Sequence, residues 1–354
     1  MNIEFECGVG PSKRTIALRH KPDFAVITID QTKLPGEEVF ITIKTTEEMA
    51  DAIKTMKIRG APLLGAAAAY ALALAAHNSK AADMEALLQD LESSAETIRR
   101  TRPTAVNLFW ALDRILKKVK TLKTDRKGLA EFVIKEANTI ADEDAAANKA
   151  IGKYGAELIK DGDVILTHCN AGALATVEYG TALGVVRAAW EQGKRIKVIS
   201  AETRPLLQGA RLSVYEMKKE GIPVTLITDN MVGYIMHRKM INKVIVGADR
   251  IVTDAVVNKI GTFGVAVLAK EHKIPFYVAA PTSTFDLTRN AKQVVIEERN
   301  PDEVTHIGSK RITAEGINVL NPAFDITPMK YVTAVISEKG VLKPTYFVKR
   351  KANR

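Results

Sequence analysis

From residue 161 onward, short apolar runs alternate with helical patterns, and this alternation limits the fold more than any other feature of the sequence. The apolar runs lie at 164–167, 196–200, 224–228, 244–246 and 276–279, with helical patterns at 174–192, 206–219, 231–239 and 262–272. Strands that alternate with helices in this way form a parallel sheet that helices cover on both faces. Because the runs are apolar throughout, the strands are expected to be buried. The sequence therefore predicts an α/β fold for this part of the chain.

The first third of the chain has a different pattern. Two alternating runs, 25–29 and 39–43, predict short antiparallel strands joined by a turn at 34–37. Helical patterns follow at 46–57, 62–77, 83–99 and 105–119, and a longer one at 129–159. The stretch 120–127 is polar and basic, and we place a domain boundary there. The division is then a smaller α+β N-terminal domain at 1–125 and a larger domain at 126–354, with the long helix bridging them.

The charge of the chain bears on its partners. The formal net charge is +10, from 51 basic and 41 acidic residues. The basic residues are scattered and not interleaved with aromatic side chains, so we expect no nucleic-acid partner. A modest positive excess instead suits a phosphorylated small molecule. The longest apolar run, 61–76, would span about 24 Å as a helix, which is short for a bilayer; we expect a buried helix and no membrane partner.

The cysteines and the N-terminus indicate a compartment. Two cysteines, Cys7 and Cys169, cannot build a disulfide framework, which is typical of a reducing environment. The first residues include early acids and lack the apolar stretch of a signal peptide. We therefore expect a cytoplasmic protein.

Polar groups follow the predicted strands where a parallel sheet binds its ligands, beyond the carboxyl ends. Cys169 follows the first strand, between His168 and Asn170. A helix start behind it would favour the thiolate; the alternative is a small buried hydrophobe. Asp249 follows the almost wholly apolar run 244–248, a setting that keeps a carboxyl protonated and suits a general acid. The alternatives for Asp249 are a salt bridge with Arg250 or a helix cap.

Three predicted helices begin beside a cation, an arrangement that favours anion binding. They begin near Arg59-Gly60-Ala61-Pro62, near Arg102, and near Asn258-Lys259-Ile260-Gly261-Thr262. No dinucleotide fingerprint or phosphate-binding loop of nucleoside triphosphatases occurs. No HxxxH or CxxC spacing occurs either, so we expect no metal.

Taken together, these motifs resemble the methylthioribose-1-phosphate isomerase family. The resemblance runs in order along nearly the whole chain, through the segments 58–62, 101–108, 167–172, 201–211, 247–250, 258–262, 321–325 and 327–328. It implies a small N-terminal domain with a Rossmann-like C-terminal one, and a homodimer without metal or organic cofactor. It also implies aldose–ketose isomerisation of a sugar 1-phosphate in methionine salvage.

The resemblance also assigns roles to residues. It implies that Cys169 and Asp249 are catalytic. Its substrate-binding positions fall on Arg59, Gly60, Ala61, Arg102, Gln208, Asn258 and Lys259. Our hypothesis is that Asp249 protonates the ring oxygen while Cys169 either shuttles a proton or stabilises charge during hydride transfer.

Two related activities are alternatives. A ribose-1,5-bisphosphate isomerase would share the Cys169 and Asp249 pair and differ in carrying a phosphate at C5. A regulatory subunit of the translation-initiation guanine-nucleotide exchange factor would share the fold and need no catalytic pair.

Overall fold

The alternating runs near the N-terminus form a small antiparallel sheet with a layer of helices. The computed structural model of the protein describes residues 13–347. Its first elements are β1 (Ile16–Arg19), β2 (Ala25–Ile29), β3 (Phe40–Ile43), α1 (Thr46–Lys54), α2 (Ala61–Asn78), α3 (Met84–Arg99), α4 (Val106–Val119) and α5 (Arg126–Ala156). β2 and β3 pair antiparallel, which confirms the two predicted strands, and β1, which was not predicted, pairs antiparallel with β2. α2 is buried along almost its whole length, as its apolar sequence predicts.

The helices of this part begin in two different ways. α1, α3 and α5 are capped by the side chains of Thr45, Asp83 and Asp125, each of which accepts a hydrogen bond from a first-turn backbone N–H. α2 and α4 follow Gly60 and Ala105 and have no side-chain cap. The first N–H groups of these two helices are therefore available to a ligand.

α5 contributes to two separate hydrophobic cores. Its N-terminal half, from Leu129 to Ala141, packs with α2, α3 and α4 in the core of the first part. Its C-terminal half, through Ile151 and Ala156, joins the core of the second part. The helix bridges the two parts, as the sequence predicts, and the division after residue 125 stays a prediction.

Strand–helix alternation dominates the second part, as the apolar runs indicate. Its elements are β4 (Val164–Thr167), α6 (Ala182–Glu191), β5 (Lys197–Ala201), α7 (Val214–Lys219), β6 (Val224–Ile227), α8 (Val232–His237), β7 (Lys243–Val246), β8 (Arg250–Ile251), β9 (Ala255–Lys259), α9 (Thr262–Glu271), β10 (Phe276–Ala279), α10 (Asp302–Thr305), β11 (His306–Ile307), β12 (Lys310–Arg311), β13 (Phe324–Pro328), β14 (Ala334–Ser337) and β15 (Gly340–Leu342). Seven of these strands form one sheet in the order β15-β14-β10-β7-β4-β5-β6. All neighbours in it are parallel except the edge pair β14–β15. The predicted α/β class is confirmed, and the carboxyl ends of β4, β5, β7 and β10 lie at one edge.

The helix predicted at 174–192 is wrong in its first half. A short 3₁₀ turn covers Ala173–Ala175, and α6 begins only at Ala182. Between them, Tyr179 and Gly180 have φ angles of 75° and 85°, which an α-helix does not accommodate. The N–H groups of Thr181 and Leu183 donate to the Ala171 carbonyl instead. The loop after β4 is therefore longer than the sequence pattern indicates.

A second small sheet, formed by β8, β9 and β13, was not predicted. β9 pairs antiparallel with both β8 and β13, and its register places Asn258 opposite Asp325 and Lys259 opposite Phe324. This sheet stands at the carboxyl edge of the large sheet and carries two of the predicted binding residues.

In the span 13–347, no helix combines the length and apolar character needed to cross a membrane. Cys7 and the acidic N-terminal stretch, on which the compartment prediction partly rests, lie outside the described residues.

Candidate active site

The residues singled out from the sequence line one cavity at the carboxyl edge of the large sheet. The cavity lies between the two parts of the chain. All nine predicted catalytic and binding residues line it: Arg59, Gly60, Ala61, Arg102, Cys169, Gln208, Asn258, Lys259 and Asp249. The structure therefore brings together groups that are far apart in the sequence.

Cys169 lies in the loop after β4 and has an unusual backbone conformation. Its φ is 66°, in the left-handed region that few non-glycine residues adopt. Its N–H donates to Thr203 Oγ1 at 2.8 Å, and its carbonyl accepts from Ser213 Oγ at 2.7 Å. These hydrogen bonds fix the backbone from both sides.

The surroundings of Cys169 act on the ionisation of its thiol in opposite directions. Burial raises the pKa of Cys169, while the nearby cations Arg59 and Lys259 act in the opposite direction. The net direction opposes the thiolate that a helix start behind the thiol would favour. The physical reason is that α6 begins at Ala182, so no α-helix start lies directly behind the sulfur.

Asp249 lies directly beyond β7 and faces the same cavity. Burial raises the pKa of its carboxyl, although Lys259, Arg102 and Arg59 each act to lower it. This direction agrees with the protonated carboxyl that the apolar run 244–248 predicts. The alternative of a salt bridge with Arg250 is wrong, because Arg250 donates to the Thr104 carbonyl at 2.9 Å and faces the Asp286 carboxylate at 3.7 Å.

Arg59 and Gly60 form the start of α2 at the cavity wall. Arg59 is 6% exposed, and its Nη2 donates to the Asn170 carbonyl at 3.1 Å. Gly60 has φ 104°, and a Cβ there would lie 2.5 Å from Ala175 Cα, so only glycine fits. Among the described carboxylates, none lies within ion-pair distance of Arg59. A buried guanidinium and uncapped N–H groups thus point at the same space.

Lys259 extends from β9 into the cavity. Its Nζ donates to the Ala323 carbonyl at 2.8 Å and lies 5.1 Å from the centre of the Phe324 ring. Burial lowers the pKa of Lys259 to about 8, although Cys169 and Asp249 raise it. The ammonium group is therefore close to its titration point near neutral pH.

The start of α9 does not offer the anion site predicted beside Lys259. The Asp325 carboxylate already accepts hydrogen bonds from the N–H groups of Gly261 (2.7 Å) and Phe263 (3.1 Å). Lys259 and Asn258 still face the cavity, so the lysine and not the helix start is available there.

Arg102 is held at the cavity by residues that the sequence did not single out. Glu297 Oε2 accepts from Arg102 Nη2 at 3.1 Å, and Glu297 Oε1 accepts from Arg299 Nε at 3.0 Å. Both guanidinium groups also lie against the sulfur of Met56, at 3.4 Å from Arg102 and 3.8 Å from Arg299. Arg299, Met56, His168 and Phe324 line the cavity as well.

No local signal in the sequence identifies Arg299. It lies in an irregular segment after β10, which reaches the cavity because Arg299 N–H donates to the Asn321 carbonyl and Ala323 N–H donates to the Glu297 carbonyl. Only a long-range signal, such as the carboxylate of Glu297 that pairs with both Arg102 and Arg299, could have suggested it.

The electrostatics of the cavity favour an anionic ligand. Four cationic side chains face it, while Glu297 is shared by two of them and the pKa of Asp249 is raised by burial. Within the described part of the chain, no group of three His, Cys, Asp or Glu side chains is placed to hold a metal ion. The arrangement combines an anion-binding wall with a carboxylic acid and a thiol.

Comparisons with known proteins agree with this arrangement. Residues 57–344 match the model of the initiation factor 2 subunit family. The chain is 56% identical to the methylthioribose-1-phosphate isomerase of Thermosipho africanus, over 91% of this chain and 93% of that protein.

Two solved structures have the same fold. The 5-methylthioribose 1-phosphate isomerase of Pyrococcus horikoshii superposes with a TM-score of 0.87 at 46% identity, covering 96% of this chain and 95% of that one. A structure described as translation initiation factor eIF-2B, subunit delta, from A. fulgidus superposes with a TM-score of 0.83 at 52% identity, covering 95% and 97%. The resemblance found in the motifs is confirmed: the chain belongs to the initiation factor 2 subunit family and, within it, to the methylthioribose-1-phosphate isomerases.

Proposed function

We propose that this chain is an aldose–ketose isomerase that converts 5-methylthioribose 1-phosphate into 5-methylthioribulose 1-phosphate, a step of methionine salvage. The observation that carries the proposal is that Cys169 and Asp249 face one cavity together with four cations. The relatives named above supply the substrate, which their names state.

The substrate phosphate binds at the start of α2. There the Arg59 guanidinium has no carboxylate partner among the described residues, and the first N–H groups of the helix lack a side-chain cap. A helix N-terminus beside a buried arginine is a strong phosphate site. Lys259, on β9, supplies a second cation to the same cavity.

Asp249 acts as the general acid. A sugar phosphorylated at C1 cannot open to a free aldehyde, so the bond between C1 and the ring oxygen must break with the phosphate in place. Burial raises the pKa of Asp249 and keeps a proton available for the ring oxygen. The Asp249 carboxylate then recovers a proton from the O2 hydroxyl as C2 becomes a carbonyl.

Cys169 serves one of two routes for the hydrogen that moves from C2 to C1. In the proton route the thiol first loses its proton to water. The thiolate then takes the C2 proton, exchanges it with solvent and delivers a proton to C1. In the hydride route the hydrogen moves with its electron pair, and the neutral, polarisable sulfur lies beside the electron-poor carbon. Because burial raises the pKa of Cys169, the neutral thiol and the hydride route are favoured.

The C5 substituent lies in an apolar side pocket. This pocket adjoins Asp249. Its apolar wall consists of Ala61, Leu64, Ala105, Val257, Val294, Val295 and Phe324. The two arginines that border it, Arg102 and Arg250, already face the carboxylates of Glu297 and Asp286. Such a wall suits a methylthio group and leaves a C5 phosphate without a free cation.

Turnover by the purified protein tests the proposal. We expect conversion of 5-methylthioribose 1-phosphate, and a loss of kcat of roughly 10²–10⁴-fold in Cys169→Ser and Asp249→Asn. Rapid turnover of ribose 1,5-bisphosphate with none of the methylthio sugar would instead establish the bisphosphate activity. Absence of turnover with both sugars would leave the regulatory-subunit alternative.

Solvent deuterium separates the two routes. The reaction is run in D₂O and the ketose is examined by NMR at C1. We expect C1 to carry no solvent deuterium, as in hydride transfer. Extensive deuterium at C1 would establish the proton route and contradict the favoured one.

We further propose that the enzyme is a cytoplasmic homodimer without a nucleic-acid partner. The scattered basic residues argue against a nucleic-acid partner. The homodimer is what the resemblance to the family implies. Light scattering on the full chain measures the mass of the particle in solution. We expect twice the chain mass of 38.7 kDa, and a monomeric mass would contradict the homodimer.

A further inference from the structure

A fully buried carboxylate, Glu216, lies directly beneath the loop that carries Cys169. It belongs to α7, is 0% exposed, and does not line the cavity. A buried carboxylate is costly unless its oxygens are paired and hydrogen-bonded. The contacts of this side chain therefore indicate what it is retained for.

Glu216 receives hydrogen bonds from the residues that follow Cys169. Its Oε1 accepts from Asn170 Nδ2 at 2.8 Å and from Leu174 N–H at 3.4 Å, and its Oε2 accepts from Ala173 N–H at 2.7 Å. A Cβ added to Gly172 would collide with the carboxylate, so the loop backbone passes directly over it. One side chain thus holds the loop at three of its residues.

The hydrogen bonds around Cys169 continue from this loop. Asn170 Nδ2 also donates to Ser213 Oγ at 3.2 Å, and Ser213 Oγ donates to the Cys169 carbonyl at 2.7 Å. Cys169 keeps a φ of 66°, a left-handed conformation that non-glycine residues rarely adopt unless the surroundings impose it. The hydrogen bonds of Thr203 and Ser213 to the Cys169 backbone, and those of Glu216 to the residues that follow it, are the surroundings that do so.

The same loop positions the cation that we assign to the substrate phosphate. Arg59 Nη2 donates to the Asn170 carbonyl at 3.1 Å. The carboxylate of Glu216 also acts electrostatically on the Arg59 guanidinium. The loop held by Glu216 therefore touches both Cys169 and Arg59.

Glu216 shares its buried counter-ion with a second acid. Arg187, which is 1% exposed, lies 3.5 Å from Glu216 Oε2 and donates through Nε to Glu220 Oε2 at 2.6 Å. The contacts of the Glu220 side chain are with Arg187 and not with the Cys169 loop. Glu220 is therefore a matched control, one turn further along the chain and paired with the same arginine.

We infer that Glu216 is a positioning residue of the isomerase, which sets the backbone of Cys169 and the place of Arg59 through the loop 170–174. The inference rests on the proposed function for its catalytic consequence. It concerns how the thiol is held and not which sugar is bound.

The experiment compares Glu216→Gln with Glu220→Gln in a Cys7→Ser background, so that Cys169 is the remaining cysteine. Glutamine keeps the shape of the side chain but presents an NH₂ group to a loop that offers donors, so at least one hydrogen bond is lost. The readouts are the rate of Cys169 alkylation by iodoacetamide across pH, kcat and KM for the methylthio sugar, and the melting temperature.

We expect Glu216→Gln to lower kcat by roughly 10–100-fold, since a displacement of about 1 Å has this effect on a reacting group, and to change the alkylation profile. Glu220→Gln should leave kcat and the alkylation rate within about 3-fold of the parent. Each variant removes one acidic partner of Arg187, so we expect the melting temperature to fall in both. Equal losses in both variants, or a parental profile in Glu216→Gln, would overturn the inference.

Ser213→Ala provides a second test if Glu216→Gln does not fold. It removes the hydroxyl that accepts from Asn170 Nδ2 and donates to the Cys169 carbonyl, and so breaks the link between the residue that Glu216 holds and Cys169. We expect the same change of alkylation profile. An unchanged profile would contradict the inference. Because alkylation needs no substrate, a protein without isomerase activity would refute the proposed function and still decide this question.

Discussion

Replacing Gly60 by alanine tests how the start of α2 is built. Gly60 has φ 104° and ψ 132°, a combination that is almost restricted to glycine. A Cβ at this position would lie 2.5 Å from Ala175 Cα and 2.7 Å from Ala175 Cβ and O. The neighbouring atoms are mostly backbone, so α2 and the 3₁₀ turn at Ala173–Ala175 must separate.

The expected cost has two parts. The backbone strain amounts to about 1–3 kcal/mol, and forcing an extra methyl into close-packed atoms adds about 1–3 kcal/mol. For a chain of 354 residues, an unfolding entropy of about 2.1 cal/mol/K per residue converts this sum into a fall in melting temperature of roughly 3–8 °C.

A matched control separates the two parts. Gly193 has φ 80°, and a Cβ there would meet nothing within 4 Å. Gly193→Ala should therefore cost only the strain, about 1–2 kcal/mol. Calorimetry on both variants measures the difference.

Gly60→Ala should also raise KM for the sugar phosphate by about 10-fold, because the N–H groups of α2 and Arg59 move together and a charged hydrogen bond is worth about 1.5–3 kcal/mol. Gly193→Ala should leave KM unchanged. Equal melting temperatures for the two variants, or an unchanged KM in Gly60→Ala, would refute the close-contact argument.

Three further predictions concern charged groups of the cavity. Burial lowers the pKa of Lys259 to about 8, so the lysine loses its positive charge as the pH rises above this value, and kcat/KM should fall. Lys259→Met should have a higher KM, and its kcat/KM should not fall in this pH range. Burial raises the pKa of Asp249, so its protonated form persists above the usual carboxyl range. As the pH rises, kcat should decline only when the pH passes this raised pKa. A decline of kcat that begins near pH 4 on raising the pH would contradict the role of Asp249 as an acid. Arg299→Leu should raise KM by about 10-fold. The control is Arg289→Leu, because Arg289 is exposed and lies outside the cavity. Equal KM values for the two variants would show that Arg299 does not bind the substrate.

The sequence predicts the large sheet because its signal is local. Each buried strand is a continuous apolar run, and each is followed within a few residues by a helical pattern. The strand at 164–167 and the strand at 276–279 have the predicted bounds in the structure. Because parallel strands end at one edge, the meeting of Cys169 and Asp249 at a single cavity also follows from the pattern.

The remainder of the site depends on contacts between distant parts of the chain. Arg299 and Glu297 lie in a segment without periodicity, and only pairing with residues 321–323 places them beside Arg102. Asp325 is close to the start of α9 because β13 pairs with β9, which no local pattern indicates. Sequence spacing does not encode such contacts.

The thiol shows why a local rule failed. The glycine-containing loop after Cys169 is typical of a strand that leads directly into a helix. Left-handed residues at Tyr179 and Gly180 extend that loop instead. Burial then decides the pKa of Cys169 in place of a helix start.

The length of α5 limits how the enzyme can open. This helix has 31 residues and measures about 46 Å, and it is embedded in one core at each end. Arg59 and Arg102 belong to the part packed on its first half, whereas Cys169 and Asp249 belong to the part packed on its second half. A hinge between the two parts would require this continuous helix to bend, so we expect the two walls of the cavity to stay at a nearly constant separation through the catalytic cycle.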